Sequence, residues 1–340
     1  ASALRRQGAE ALFVCREHDG HLCDLIAEVG FDVAPLKAPE TGFDGNDDLE
    51  HGLWLGTKWQ EDVEQTRAAM SGTASWIIAD HYAIDWRWER ALRNMTDHVF
   101  VIDDLADRDH ECDVLLDQNL VRDMSQRYLD RVPVSCELLL GPKYALLDPI
   151  YKEFHEAVLP LKPFGKRVLL FLGGGDKDEP VGVVLEALSK LPDTKKVLHI
   201  DLVLPRGYDL SARLCEIIDS NAAVHVHKAL PTLAPLVAKA DWAIGGGGTT
   251  NWELLCLGVP TLVWSHAENQ RAIAQELHAR GLVRWMGHGS EVTHETIHRE
   301  AIRLQEDGLA GKLANWARLC LAEVDGRGVD RVCSTMAVSR

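Results

Sequence analysis

The chain has no run approaching the ~20 apolar residues that a membrane-spanning helix requires. Nor does it show the charged, apolar and small-residue succession of a secretory leader. These two absences predict a soluble, cytoplasmic protein with no membrane partner. Its eight cysteines (Cys15, Cys23, Cys112, Cys136, Cys215, Cys256, Cys320 and Cys333) include no Cys-x-x-Cys pair, so reduced thiols are expected instead of a disulfide framework. Basic residues are in short supply: 36 Lys and Arg against 52 Asp and Glu leave a net charge of −16. That balance argues against a nucleic-acid partner, which needs a basic surface. It does not exclude a small anion, which helix N-termini bind without a basic patch. Short-period repeats and low-complexity tracts are missing as well.

What is present is alternation. At 340 residues the chain is long for one core, and two domains are the expectation. Short apolar strands alternate with helical segments, the pattern of a parallel sheet covered on both faces. In the first half, strands are predicted at 11–15, 32–35, 76–79, 99–103 and 114–116, with helices at 22–29, 59–70 and 84–93. The Gly- and Asp-rich stretch 38–57 reads as a surface excursion. The Pro-punctuated segment Leu159–Gly165 reads as a linker. Beyond it the pattern repeats, with strands at 167–172, 197–203, 223–227, 242–244 and 261–264 and helices at 181–191, 210–219, 230–238 and 269–280. The domains so defined are 1–158 and 166–318, with 319–340 packing back toward the first. Residues 1–8 read as the back half of a helix closed by Gly8, so the first domain is expected to lack the strand with which such folds begin.

The most informative stretch runs from Ala240 to Gln270. A strand leads into Gly245, Gly246, Gly247 and Gly248, and Thr249 and Thr250 open a helix. A second strand then leads to the polar tip Glu268–Asn269–Gln270. A glycine loop between a strand and a helix offers outward N–H groups, no side chain to block close approach and a dipole that favours negative charge. It is a site for a nucleotide diphosphate. A dinucleotide fingerprint needs an acidic residue at the end of the next strand; that strand ends in Ser265–His266, which argues against NAD. Glu253 has two readings. It closes a capping box from Thr250, or its carboxylate accepts hydrogen bonds from a ribose diol. A second glycine loop, Gly173–Gly174–Gly175–Asp176, is either a ligand contact or a tight turn. The polar tip at Glu268 and Asn269 reads as a helix N-cap, which is compatible with a ligand contact.

Asp80–His81–Tyr82, Asp103–Asp104 and Asp117–Gln118–Asn119 end neighbouring strands, where α/β sites lie, and so form a polar rim. Asp103–Asp104 is expected to cap a helix or pair with Arg108 in preference to holding a metal. His225 and His227 share a strand face without further Cys or His at zinc spacing, so no metal is expected there.

Several blocks in order carry a resemblance to a known family: DHYAIDWRWERALR, VIDDLADRDHECDVLLDQN, LLGPKYALL, GGGGTTNWELLCLGVP, AENQ and VDGRGVDRV. Together they resemble the nucleotide-sugar hydrolases of pseudaminic acid biosynthesis, which cleave UDP-2,4-diacetamido-2,4,6-trideoxy-β-L-altropyranose and are akin to the glycosyltransferase that makes lipid II. The resemblance implies an α/β, GT-B-like fold of two Rossmann-type parallel-sheet domains with the ligand in the cleft between them. It implies metal-independent hydrolysis without a cofactor, water displacing UDP at the anomeric carbon with inversion. Gly245–Thr250 would then hold the diphosphate and Glu253 the uridine ribose. Tyr82 and Asn269 would lie beside the sugar as the catalytic-site residues. Gly173, Gly174, Gly175, Asp176 and Glu268 would be further contacts to the UDP-sugar substrate.

The chain departs from that family in two places. Members open on a strand and a Gly-x-Gly-His loop whose histidine is the base, and neither occurs here; Asp148 stands where members tend to have Arg. Rival functions therefore stay open: a glycosyltransferase using the same donor, a UDP-sugar-binding protein without turnover, and related hydrolases for other sugars, such as those of spore-coat polysaccharide synthesis.

Overall fold

The computed structural model of the chain describes residues 1–39, 42–45, 49–158, 165–173, 178–195, 197–205 and 207–338. Apart from Gly165, the segment read as a linker lies outside the described residues, as do Gly174, Gly175 and Asp176 of the second glycine loop. The chain divides into two compact units, one of residues 1–118, 123–144 and 330–340, the other of 119–122 and 145–329.

The first unit contains α1 (Ser2–Arg6), β1 (Leu12–Arg16), α2 (Cys23–Glu28), β2 (Asp32–Leu36), α3 (Trp59–Ala69), β3 (Ala74–Ala79), α4 (Trp86–Leu92), β4 (Thr96–Ile102), β5 (Val114–Asp117) and β6 (Glu137–Leu140). Its strands form two parallel sheets. β1 pairs with β2 from Leu12↔Asp32 to Arg16↔Leu36, and β3, β4, β5 and β6 lie side by side in that order. Val99, Leu115 and Leu116 in the middle of the larger sheet are fully buried, whereas Ile78 on β3 is 44% exposed. β6 was not foreseen: ELLL is too short and too uniformly apolar for periodicity to assign, and its pairing with β5 makes it a strand. α4 begins where the Asp85 carboxylate accepts the Arg87 N–H at 2.9 Å, a standard cap.

The second unit contains α5 (Pro149–Ala157), β7 (Arg167–Phe171), α6 (Asp178–Ser189), β8 (His199–Leu204), α7 (Ala212–Asp219), β9 (Val224–Lys228), α8 (Ala234–Lys239), β10 (Trp242–Gly246), α9 (Thr250–Cys256), β11 (Thr261–Ser265), α10 (Glu268–Ala279), β12 (Arg284–His288), α11 (His294–Leu309) and α12 (Leu313–Glu323). The last helix, α13 (Gly328–Val338), runs from this unit into the first. There Val332 and Met336 join a cluster with Phe100, Val114, Leu116 and Leu139.

All six strands of the second unit are parallel, in the order β12-β11-β10-β7-β8-β9. β7 and β10 are central neighbours although β8 and β9 separate them in sequence, so the order reverses between them. In open α/β sheets ligands bind outside the carboxyl ends of the strands at such a switch point. Both glycine loops leave from it: Gly173 follows β7, and Gly245 and Gly246 close β10. The sheet is apolar on both faces, as an all-parallel sheet must be. On one face Val168, Leu170, Trp242, Ile244 and Leu262 are buried with Val184 and Leu185 of α6 and Ile297, Ala301 and Leu304 of α11, and on the other Leu169, Ala243 and Val263 are buried as well.

The unit boundary falls at 144/145, where the sequence suggested 158, and the chain re-enters the first unit at Asp330, where it suggested 319. α5 accounts for the first difference. Its Tyr151 is fully buried, and the helix packs on α8 and α9; the amphipathic pattern announces a buried face without saying which neighbour covers it.

Candidate functional site

Two of the four loop glycines have a packing reason. A Cβ on Gly246 would lie 2.9 Å from the Leu172 carbonyl oxygen, and one on Gly247 would lie 2.8 Å from Gln270 Cβ and 3.2 Å from Ser265 Cβ. Gly248 differs: its nearest such neighbour is Gln270 Nε2 at 3.7 Å. None of the four has a positive φ, so Gly246 and Gly247 answer to space; a Cβ at Gly245 or Gly248 would make ordinary contacts only, from 3.6 and 3.7 Å, and among the described residues Gly248 has the fewest neighbours. Among the described residues the N–H groups of Gly248 and Thr249 donate to no acceptor, while their carbonyls accept from Asn251 (3.1 Å) and Trp252 (3.0 Å). Two unpaired donors beside an open glycine suit an anionic oxygen.

The structure removes the capping-box reading of Glu253. α9 starts at Thr250 with Thr249 as N-cap and no side-chain capping bond, which places Glu253 one position beyond the N3 site of a capping box. The half-buried carboxyl faces α5 instead. Burial pushes it above the usual carboxylate range; the charge of Asp148 adds to the rise and the Tyr151 hydroxyl opposes it. Asp148 itself is the N-cap of α5, its Oδ1 accepting the Ile150 N–H at 2.9 Å. Tyr151 is fully buried, and its hydroxyl, which faces Glu253 and Thr232, forms no hydrogen bond of normal geometry. The phenol is pushed up by burial and then by Glu253.

His155 Nδ1 lies 2.6 Å from the Cys256 carbonyl oxygen and donates to it, clamping α5 to α9. Cys256 is fully buried and its thiol is pushed up to about 12, chiefly by burial, so it acts as a small hydrophobe. Asn251 is fully buried with neither amide atom bonded; an unpaired buried group costs ~1–3 kcal/mol, which calls for a polar neighbour. Ala229, between β9 and Thr232, is held at φ 53°, a strain of the order of 1–3 kcal/mol of the kind found at ligand clamps.

α10 starts at Glu268 with Ala267 as N-cap. Of the tip residues it is Gln270, not Glu268 or Asn269, that serves the backbone there: its Oε1 accepts from His266 N–H (3.0 Å) and Ala267 N–H (3.3 Å). Glu268 and Asn269 are left exposed, Glu268 ion-paired with Arg271 at 3.1 Å. Gly173 has φ 88°, and among the described residues nothing lies within 4 Å of the position of a Cβ there.

In the first unit Tyr82 stands among aromatic rings. Its centroid is 5.6 Å from His51 and 5.7 Å from Trp54, and Trp54 is 54% exposed. Burial, then a hydrogen bond to Asp104, push the Tyr82 phenol up; burial and Asp104 raise the Asp80 carboxyl. Burial lowers His81, whose Nδ1 accepts the Ala83 N–H at 3.0 Å. Asp103 pairs with Arg108 at 2.9 Å, as expected, and takes the Ala106 N–H at 2.9 Å. The Tyr128 hydroxyl lies 3.0 Å from Asp103 and 3.1 Å from Asp117. Burial alone would raise Asp103; Arg108, His110, Ala106 and Tyr128 together hold it below the usual range. Asp103 and Asp117 are thus buried scaffold, and Asp80, Tyr82 and Asp104 are the accessible part of the rim. Atoms of Glu50, His51 and Asp107 lie within 4.8 Å of one another, but Asp107 is already paired with Arg108 at 2.8 Å.

Two other charged clusters are structural. His199 and His227 both reach Asp201, at 3.0 and 2.8 Å, which Arg167 also pairs at 2.7 Å. A hollow of about 260 Å³ beside Arg284, Glu300, Arg303, Glu306 and Asp307 lies away from both glycine loops. Its charges are satisfied by mutual or neighbouring ion pairs.

No protein-family model matches the chain. Over 197 residues it is 29% identical to the spore coat polysaccharide biosynthesis protein SpsG of Bacillus subtilis (strain 168), a match covering 58% of this chain and 57% of that one. The chain thus spans little more than half the length of the curated relative it matches. Among solved structures it superposes on CalG4, the calicheamicin glycosyltransferase, with a TM-score of 0.65 at 14% identity, covering 99% of this chain and 92% of that one. The glycotransferase of kitacinnamycin gives 0.62 at 17% identity over 98% and 93%. Arabidopsis thaliana UGT89C1 complexed with UDP gives 0.61 at 10% identity over 97% and 93%. The fold is that of the GT-B glycosyltransferases.

Within this GT-B fold, Gly245–Thr250 and Glu253 gather at the switch point of the second unit, and Gly173 stands at the neighbouring strand end. Tyr82 belongs to the rim of the first unit. Sequence reasoning missed Tyr151 and Thr232, because nothing in YKEFHE or LPTLAP distinguishes a site residue from helix packing. It also missed His51 and Trp54; two aromatic rings inside a Gly- and Asp-rich tract were the available signal. No helix among the described residues is long and apolar enough to cross a membrane.

Proposed function

We propose that the protein binds a UDP-sugar and cleaves the bond between its anomeric carbon and the diphosphate. The observation that carries this reading is the pairing, at one switch point, of two unpaired loop N–H groups with a half-buried carboxyl on the next helix. The first suits a diphosphate and the second a ribose diol. UDP is the nucleotide proposed because UGT89C1, of the same fold, was solved with it. The strained loop from Ala229 to Thr232 is proposed to line the base. Glu268 and Asn269, exposed at the start of α10, are proposed as sugar contacts of the second unit, and Gly173–Asp176 as a further substrate loop. Tyr82, with the open Trp54 ring beside it, is proposed to meet the apolar face of a pyranose in the first unit.

In the proposed reaction a water oxygen attacks the anomeric carbon from the face opposite UDP. The carbon–oxygen bond breaks, its electron pair leaves with UDP, the configuration inverts and the water's proton passes to a base. Loop N–H groups stabilise the charge growing on the leaving diphosphate, so no strong acid is required; a base is worth about 10²–10⁴-fold. The sequence blocks support water as the acceptor and a 2,4-diacetamido-2,4,6-trideoxyhexose as the sugar. The GT-B glycosyltransferase neighbours support a second reading, in which an acceptor alcohol takes the place of water.

The test is turnover of UDP-2,4-diacetamido-2,4,6-trideoxy-β-L-altropyranose in ¹⁸O-water, with and without added alcohols. UDP release with the label in the sugar supports hydrolysis, and release only with an alcohol supports transfer. Label in the phosphate refutes cleavage at carbon. Tight binding with no release under any condition would make the protein a carrier instead of an enzyme.

A further inference from the structure

We infer that Tyr151 is a positioning residue for Glu253: the buried phenol donates to the carboxylate when a ribose diol engages it, and the two together read the ribose hydroxyls. This rests on the nucleotide reading above and goes beyond it, because Tyr151 belongs to a different helix, far from the glycine loop in sequence.

The first support is a buried hydroxyl that faces Glu253 and Thr232 without a hydrogen bond of normal geometry to either. Tyr151 is fully buried on α5 with no partner of normal geometry for its hydroxyl. Phe would fill the same space without stranding a polar atom, so the hydroxyl is unexplained by packing. The second is direction. The hydroxyl faces Glu253 and Thr232, the carboxyl one turn from the glycine loop and the loop that follows the strained Ala229. The third is rigidity. α5 is fixed to α9 by the His155–Cys256 bond at 2.6 Å, and Gly326 approaches the Lys152 backbone so closely that a Cβ there would lie 2.9 Å from it. Clamped in this way, the two helices hold the phenol facing the carboxyl, which is how a supporting side chain keeps a binding group in place.

The chemistry explains why Glu253 needs such a partner. An ionised carboxylate has about four acceptor positions, enough for two ribose hydroxyls and one phenol. Burial and the Asp148 charge, however, favour the neutral carboxylic acid, which can no longer accept from every donor. A phenol donor favours the ionised form. The groups facing Glu253 are Tyr151 and Asp148 from α5 and the neutral Cys256 thiol from its own helix, so Tyr151 is the member of this set that opposes neutralisation.

The experiment compares UDP with 2′,3′-dideoxy-UDP by calorimetry across pH, for the full chain and for Tyr151→Phe. The variant should remain folded, since it loses only an unpaired hydroxyl. Its preference for UDP over the dideoxy ligand should fall about tenfold, with the dideoxy affinity unchanged. The acid limb of its UDP-binding profile should move to higher pH. In a Glu253→Gln background the same change should have no further effect on that preference. Equal weakening of both ligands, or an unchanged preference, would overturn the role of Tyr151 while leaving the nucleotide site standing. Absence of UDP binding by the unaltered chain would overturn both.

Discussion

Gly246→Ala and Gly248→Ala, two positions apart in one loop, should move stability in opposite directions. At Gly246 the new methyl meets the Leu172 carbonyl oxygen at 2.9 Å. That atom is backbone at the end of a central strand, and overpacking of this kind costs ~1–3 kcal/mol. At ~2–4 °C per kcal/mol for a unit of this size, the melting midpoint should fall by ~2–12 °C. At Gly248 the methyl meets nothing closer than Gln270 Nε2 at 3.7 Å, and φ is not positive. Restricting the unfolded chain should then stabilise the protein by ~0.4–1 kcal/mol. The same methyl projects into the space proposed for the diphosphate, so UDP affinity should fall at least tenfold, ~1.4 kcal/mol. Differential scanning calorimetry with and without UDP reads both effects. If Gly248→Ala melts as low as Gly246→Ala, or binds UDP unchanged, the assignment of Gly248 to ligand space is wrong.

Glu253→Gln should weaken UDP by about 10- to 100-fold in calorimetry, the range of a hydrogen bond to a charged group. Its melting temperature should change little, because the substitution also relieves a buried charge. Arg108→Ala strands the buried Asp103 carboxylate and should cost ~3–5 kcal/mol in urea unfolding. Asp103 is held below its unfolded value, so its contribution to stability is present above the ordinary carboxylate range and is lost as pH falls through the folded value. The stability gap between the unaltered chain and Asp103→Asn should narrow over that acid window; a constant gap would contradict the assignment. Trp54→Ala, at an exposed position, should leave melting unchanged within ~0.5 kcal/mol while weakening the UDP-sugar more than UDP, as read by competition.

The alternation of apolar strands and helices was legible because each element records its own period, and the central strands of the second unit, from Val168 to Leu170 and Trp242 to Ile244, are continuous apolar runs. The glycine loop was legible as a loop, but the reason for each glycine was not: Gly246 answers to Leu172 and Gly247 to Gln270, contacts that only the sheet order brings together. Glu253 stayed ambiguous in sequence because a capping box and a ligand carboxylate use the same spacing. The N-cap at Thr249 removes the capping box, and the ligand carboxylate stands as the proposal. The boundary at 144/145 was hidden for the same reason, since it depends on which helix covers the apolar face of α5.

The division of the first unit's strands into a pair and a quartet has a consequence for how that unit behaves in solution. Among the described residues β1, β2, β3 and β6 each leave one side of their backbone without a strand partner, twice the number of open sides that one continuous sheet would have. Leu12 on β1 is 45% exposed and Ile78 on β3 44% exposed, so two of those edge strands also carry exposed apolar side chains. Amide hydrogens of β1 and β3 should therefore exchange with solvent well before those of β4 and β5. In concentrated solution these same strands are where a neighbouring extended chain would add first.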